Sequence, residues 1–205
     1  TNTEEVYVAT PDQKIIDLIT SNGGRAVLTS LNHQTGTDRI YEVFKTQLNN
    51  EPDIIINLQG DMPNIDPQDI KNLISYMAKG QCDIGTLASS FGSKEELKDK
   101  NNVKVAVKKK LTDNNFSEAS DFFRTELMIY ENIYHHVGIY AFTNKALVRY
   151  VSLERSKLEL ERNLEQLRAL ENNMSIHVGY LNSSPLSVDT KNDLIEVKRI
   201  MENNE

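Results

Sequence analysis

Ile54-Ile55-Ile56-Asn57-Leu58-Gln59-Gly60-Asp61-Met62-Pro63 decides the fold class. Three β-branched residues follow the breaker Glu51-Pro52-Asp53, a run suited to a strand buried on both faces. Pro63 and the Asp66-Pro67 pair stop further pairing and open a helix, with Asp66 as N-cap and Pro67 at the first helical position. Asp61 is thereby expected at the carboxyl end of a central parallel strand, where open α/β sheets bind ligands. On the residues alone it is either a ligand-binding carboxylate or a turn former.

Outward from this stretch, strands and helices alternate. Val6 to Ala9 reads as a strand, Asp12 to Ser21 as a helix closed by Gly23-Gly24, and Ala26 to Thr29 as the next strand, one β-α-β unit. Thr37 to Leu48 and Pro67 to Lys79 read as helices, and Asp83 to Ser90 as a strand. The order predicts an α/β fold with a mostly parallel sheet and helices on both faces. Val103, Val105 and Val107 alternate with Lys104, Ala106 and Lys108 as in a half-exposed strand, and a strand is read near Phe122-Phe123. Helices over Ala146 to Val151 and Leu158 to Glu171, a strand over Ile176 to Leu181 and a helix over Lys191 to Met201 complete the reading. The expectation is one domain over residues 1–205, with an insertion or dimer-forming lobe over about 103–170.

Composition narrows the function. A 205-residue chain buries one substantial core. Its net charge of −7 argues against general nucleic-acid binding. An anionic substrate then needs local cations or a metal. A single cysteine, Cys82, leaves no disulfide framework within the chain and fits a reducing compartment. No apolar run reaches the roughly 18 residues that span a bilayer, and no signal peptide opens the sequence, so a soluble cytoplasmic protein is expected.

Several stretches then share one likeness: Val8-Ala9-Thr10, Thr35-Gly36-Thr37-Asp38-Arg39, Asn57 to Pro63, His136-Val137-Gly138-Ile139-Tyr140, Leu164-Glu165-Gln166-Leu167-Arg168 and Val188-Asp189-Thr190. In order and nearly over the whole length, they resemble the bacterial 3-deoxy-manno-octulosonate cytidylyltransferases, also called CMP-Kdo synthetases. The resemblance implies a nucleotide-diphospho-sugar transferase-like, Rossmann-type fold. It also implies an enzyme that joins CTP to the acidic sugar 3-deoxy-manno-octulosonate (Kdo), releasing pyrophosphate and making CMP-Kdo for lipopolysaccharide assembly. A charged transition state between two anionic substrates calls for magnesium. The resemblance assigns metal binding and catalysis to Asp61 and Asp189, although Asp189 before Thr190 and a helix also suits an N-cap neighbourhood. It assigns nucleotide recognition to Thr35, Gly36, Thr37 and Arg39, which could otherwise be a threonine-capped helix start. Sugar recognition falls to Gln59, Arg124, His136, Tyr140, Glu165 and Gln166, whose mixed donors and acceptors suit hydroxyls and whose guanidinium suits a carboxylate. Core or solvated roles remain the plain alternatives for these residues. A homodimer is also implied.

Departures from the pattern matter. Ala119 to Arg124 reads ASDFFR where the family has ALYFSR, so Arg124 rests on a weaker match. His136 is not read as a metal ligand, since adjacent His135 would point to the opposite side of the strand; His33 and His177 have no partners at useful spacing, so those two are read as structural. The family's opening strand and its PARxxSxRxPxK triphosphate loop have no counterpart before Val8, and no G-x-G-x-x-G or P-loop replaces them. A longer polypeptide is therefore expected. The alternatives are a sialic-acid cytidylyltransferase and a catalytically inactive assembly module.

Overall fold

Caps and breakers set the first elements. The computed structural model describes residues 5–113, 115–125, 130–188 and 190–202. Strand β1 (Val8–Thr10) leads into helix α1 (Gln13–Ser21), capped by Asp12, whose Oδ1 accepts the Lys14 amide hydrogen at 2.8 Å. Gly23, left-handed at φ 79°, releases the chain into β2 (Ala26–Leu28), which runs parallel to β1. Helix α2 (Gly36–Thr46), strand β3 (Ile54–Asn57) and helix α3 (Pro67–Met77) follow, with Asp66 capping α3 and Pro67 in its first turn. Next come β4 (Ile84–Ser89), α4 (Lys94–Lys98), β5 (Lys104–Val107), β6 (Phe116–Phe123) and β7 (Ile133–Thr143). Helices α5 (Asn144–Ser152), α6 (Lys157–Arg162) and α7 (Gln166–Glu171), strand β8 (Ile176–Leu181) and helix α8 (Lys191–Glu202) complete the fold.

Strands β1 and β2 form a small sheet of their own, and six others pair in the order β3-β7-β4-β8-β6-β5, with β7 also reaching β5. The α/β class and the helices on both faces hold, but the mostly parallel sheet is corrected. Among the described residues only β1–β2 and β4–β8 are parallel, and the other five pairings are antiparallel. The physical cause is β7, an eleven-residue strand lying antiparallel between β3 and β4. It also takes β3 out of the centre: β3 ends the six-strand order, so Asp61 follows an end strand instead of a central parallel one.

Two apolar layers sandwich the large sheet. One holds Phe44 of α2, Leu147 and Tyr150 of α5 and Leu167 of α7 against Phe122, Tyr140 and Ile176. The other packs Leu73 and Met77 of α3 on Leu87, Ile139 and Leu181. Each fully buried side chain of this size contributes about 1.5–3 kcal/mol. Cys82 is buried beside Met77, and burial pushes its thiol up to about 12.

Strand β5 corrects a second expectation. All four of its residues are buried, including Lys104, which the alternation placed on a solvated face. Its Nζ donates to the carbonyl oxygens of Asp99, Asn102 and Arg124 at 2.5, 2.9 and 2.8 Å. Three acceptors match the three ammonium hydrogens, which is what permits the burial.

Candidate active site

The turn after β3 carries the stretch on which the fold was read. Asn57, at the end of β3, is buried, and its Oδ1 accepts a hydrogen from Gln59 Nε2 at 3.1 Å. Gly36, the first residue of α2, comes so close that a Cβ there would sit 3.2 Å from Gln59 Nε2 and 3.6 Å from Asn57 Nδ2. Glycine is therefore what lets the α2 N-terminus reach the β3 turn. Thr35 caps α2: its Oγ1 accepts the Asp38 amide hydrogen and donates its own to Asp38 Oδ2 at 2.9 Å. Thr37 is buried and donates to Glu165 Oε2 at 3.2 Å. Arg39 turns elsewhere, with Nη1 donating to Thr29 Oγ1 and the Ser30 carbonyl, and so ties α2 to the chain leaving β2.

Glu165 and Gln166 owe their position to a break in the expected helix over Leu158 to Glu171. Asn163 adopts a left-handed conformation at φ 53° and ends α6, and α7 begins only at Gln166. Asparagine tolerates this backbone better than other L-residues except glycine. The turn aims Glu165 at the α2 N-terminus. Below it, buried Arg168 donates from Nε and Nη2 to the two oxygens of buried Glu159 at 2.8 and 2.7 Å, and its guanidinium lies over the Tyr150 ring. Tyr150 in turn donates to the Glu165 carbonyl at 2.9 Å.

Strand β7 supplies His136 and Tyr140, both buried. Burial, then the neighbouring His135, lowers the His136 pKa to about 3, so the ring is neutral. Burial, then Glu165, holds the Tyr140 hydroxyl well above its usual value and therefore protonated. His135 stacks on Phe91 at 5.6 Å. The other two histidines have partners after all: His33 meets Glu42, and His177 Nδ1 lies 2.6 Å from the Tyr76 hydroxyl.

Gly36, Gln59, His136, Tyr140, Glu165 and Gln166 line one cleft of about 290 Å³. Val103, Gly138, Asn163 and Leu164 complete it. Six expected site residues from four separate elements and turns thus converge. Arg124 is not among the lining residues; its Nη1 donates to the carbonyls of Asn101 and Lys100, outside the cleft. Sequence reasoning missed Asn163, whose position five residues before the end of the matched Leu164-to-Arg168 element was the only hint, and Asn57, whose buried Nδ2 has no partner among the described residues.

Asp61 is exposed two residues beyond Gln59. Its carbonyl accepts the Val188 amide hydrogen at 2.8 Å, Ser187 Oγ approaches its Oδ2 at 3.4 Å, and Asn64 Oδ1 accepts the Leu186 amide hydrogen at 3.0 Å. These contacts stitch the β3–α3 turn to the segment 186–188. Asp189 itself lies outside the described residues.

The cytidylyltransferase family model matches residues 1–176. The 3-deoxy-manno-octulosonate cytidylyltransferase of Rickettsia canadensis (strain McKiel) is 39% identical over 204 residues, covering 98% of this chain and 81% of the relative. The chain belongs to the 3-deoxy-manno-octulosonate cytidylyltransferase family. The enzyme of that name from Rhodopseudomonas palustris (strain BisB18) is 40% identical over 198 residues, 96% of this chain and 80% of its own. A solved structure of CMP:2-keto-3-deoxy-manno-octonic acid synthetase complexed with CTP superposes with a TM-score of 0.87 at 32% identity, over 98% of this chain and 82% of that one. Family membership and the nucleotide-diphospho-sugar transferase fold agree with what the resemblance implied.

One consequence of the cleft is measurable through stability. Burial raises the Glu165 carboxyl above its usual pKa, partly offset by the hydrogen bond from Thr37. A raised folded-state pKa means that the unfolded chain ionises first, so this group destabilises the fold increasingly as pH rises from the unfolded value of 4.5 through the folded one. Glu165→Gln should therefore match the wild type in melting temperature below pH 4.5 and exceed it at pH 8. Parallel melting curves across that range check this; a constant difference at all pH values would contradict it.

Proposed function

We propose that the protein transfers the cytidylyl group of CTP to Kdo, giving CMP-Kdo and pyrophosphate. The observation that carries this reading is the convergence of the six family-matched residues on one cleft. Its chemistry fits a polyhydroxylated acid: Glu165 accepts, Gln59 and Gln166 do both, and Tyr140 donates from a hydroxyl kept protonated by burial. The Gly36 approach brings the α2 N-terminus, with its partial positive charge, to the same place.

A magnesium ion belongs to the proposal. It would supply charge neutralisation and Lewis acidity at the triphosphate. No group of three or more metal-ligating side chains exists among the described residues, which suits magnesium, since it takes one or two carboxylates and completes its shell with phosphate and water. Asp61 fits as a ligand: it is exposed, and its side chain has only the long contact from Ser187 Oγ among the described residues. Asp189 is proposed as the second carboxylate; its neighbour Val188 is bonded to Asp61. Thr35 and Thr37 would orient the nucleotide side of the site and Arg39 would hold α2 in place, while Arg124 remains a candidate for the sugar carboxylate if the 100–101 loop releases it.

We further assign a homodimer, with the section around 103–170 contributing sugar and subunit contacts, and a cytoplasmic location. In support of the latter, no helix among the described residues is long and apolar enough to cross a membrane, and the single cysteine is free and buried. The deciding experiment is pyrophosphate release by the full-length protein from CTP and magnesium with Kdo or sialic acid as acceptor. Release with Kdo is expected. Release with sialic acid alone would move the assignment to that sugar, and CTP binding without turnover of either would leave an inactive binding module.

A further inference from the structure

Antiparallel pairing of β4 with β7 is interrupted at one point. Thr86 faces Tyr140 and Leu87 faces Val137, so Gly138 and Ile139 have no partner on β4. Such a bulge frees backbone carbonyls inside the sheet, and buried carbonyls need donors. Thr86, fully buried, meets them: its Oγ1 lies 2.7 Å from the Ile139 oxygen and 3.3 Å from the Val137 oxygen. The same Oγ1 lies 2.9 Å from His136 Nε2.

A hydroxyl has one hydrogen, and a carbonyl oxygen accepts only. The hydrogen of Thr86 must go to the bulge, at the shorter Ile139 contact. Were it given to Nε2 instead, hydroxyl lone pairs would face a buried carbonyl oxygen at 2.7 Å, an unfavourable contact. The hydroxyl is therefore left as an acceptor toward the ring, and Nε2 must bring the hydrogen. In a neutral imidazole, Nδ1 then carries a lone pair. Among the described residues Nδ1 of His136 has no hydrogen-bond partner and is not a buried unsatisfied atom, while the ring lines the cleft. Phe122, edge-on at 5.1 Å, and Tyr140 at 5.5 Å hold the ring against reorientation.

We propose that Thr86 is a positioning residue that fixes His136 as the Nε2–H tautomer, so that Nδ1 accepts a hydrogen bond from a substrate hydroxyl and repels the substrate carboxylate. The kinetic half of this rests on the reading of the cleft as the sugar site; the tautomer does not. With the Glu165 carboxylate also lining the cleft, two acceptors are placed there, and hydroxyl groups are the complementary part of an acidic sugar. The carboxylate of the sugar has to lie away from them. His136 thereby contributes orientation through an absent hydrogen, a property invisible in its identity alone.

The test uses the full-length protein with imidazole-¹⁵N histidine. The chain has four histidines, so a long-range proton–nitrogen spectrum is tractable, with His136→Asn assigning the ring. The wild type should show the Nε2–H pattern, unchanged between pH 6 and 8. Thr86→Val should lose that single pattern and raise the KM for Kdo roughly ten- to a hundredfold, the effect of one misdirected buried hydrogen bond, with the KM for CTP unchanged. Thr86→Ser, which keeps the hydroxyl, should restore both. An Nδ1–H ring in the wild type, or a Thr86→Val enzyme with the original pattern and sugar KM, would overturn the proposal. If Thr86→Val does not fold, the wild-type spectrum and Thr86→Ser still decide. An Nε2–H ring in a protein that turns over no Kdo would sustain the role of Thr86 and sink the proposed reaction instead.

Discussion

Asp61→Ala should lower pyrophosphate release from CTP and Kdo by at least about a thousandfold, on the scale of removing a principal electrostatic stabiliser of a charged transition state. The melting temperature should stay within a degree or two of the wild type, because the side chain is exposed and makes only the 3.4 Å contact with Ser187 among the described residues. The contact that ties the turn to segment 186–188 uses the Asp61 carbonyl, which alanine keeps. Asp61→Asn sharpens the test: it preserves size and hydrogen-bonding capacity while removing the charge. If the role is to hold a cation, both variants fail alike and raised magnesium recovers part of the asparagine variant's activity. If the role is to shape the turn, asparagine should work nearly as well as aspartate. Activity within a few-fold of wild type in the alanine variant would falsify the assignment of Asp61.

What the sequence disclosed follows the range of the interaction involved. Strand β8 runs over Ile176–Leu181, the same residues read from their apolar run, and α3 starts at Pro67 behind its Asp66 cap, because both signals are local. The break between α6 and α7 was not legible. Apolar residues keep helical spacing through Leu160, Leu164 and Leu167, and the interruption is a single left-handed residue, Asn163. Lys104 misled for a different reason. Its place in the alternation says solvent, and only the fold brings three carbonyls from Asp99, Asn102 and Arg124 around its ammonium group.

The site was legible through likeness more than through physics. Gly36, Gln59, His136 and Glu165 are separated by long stretches of chain, and no periodicity predicts that they share a cleft. The parallel sheet expected from alternating elements failed for the same reason: β7 enters between β3 and β4 from far along the chain. Thr86 was silent too, since a threonine in a strand reads as an ordinary β-former. Its neighbours become informative only once the bulge at Gly138 and Ile139 is seen.

The support beneath the cleft gives the largest expected change in stability. Within the matched Leu164-to-Arg168 element, Arg168 is a buried partner of Glu159 and is not among the residues lining the cleft. Burial pushes the Glu159 carboxyl up, but hydrogen bonds from Arg168 and Arg155 outweigh it and hold the carboxyl below its usual range. The Ser156 amide also donates to Glu159, at 3.1 Å. Glu159→Ala strands the Arg168 guanidinium without its bidentate partner and should cost about 3–5 kcal/mol in denaturant unfolding. A loss under about 1 kcal/mol would show that the pair is not buried as described. The double variant Glu159→Met with Arg168→Met should recover much of the loss, since a packed apolar pair incurs no desolvation penalty. The recovered fold should still bind Kdo poorly. Arg168 over the Tyr150 ring and the Tyr150 hydroxyl on the Glu165 carbonyl are what hold Glu165 at the cleft, and two flexible methionines replace only the volume of the pair. Stability regained together with a normal KM for Kdo would mean that Glu165 is held by its own contacts with Thr37 and needs nothing beneath it.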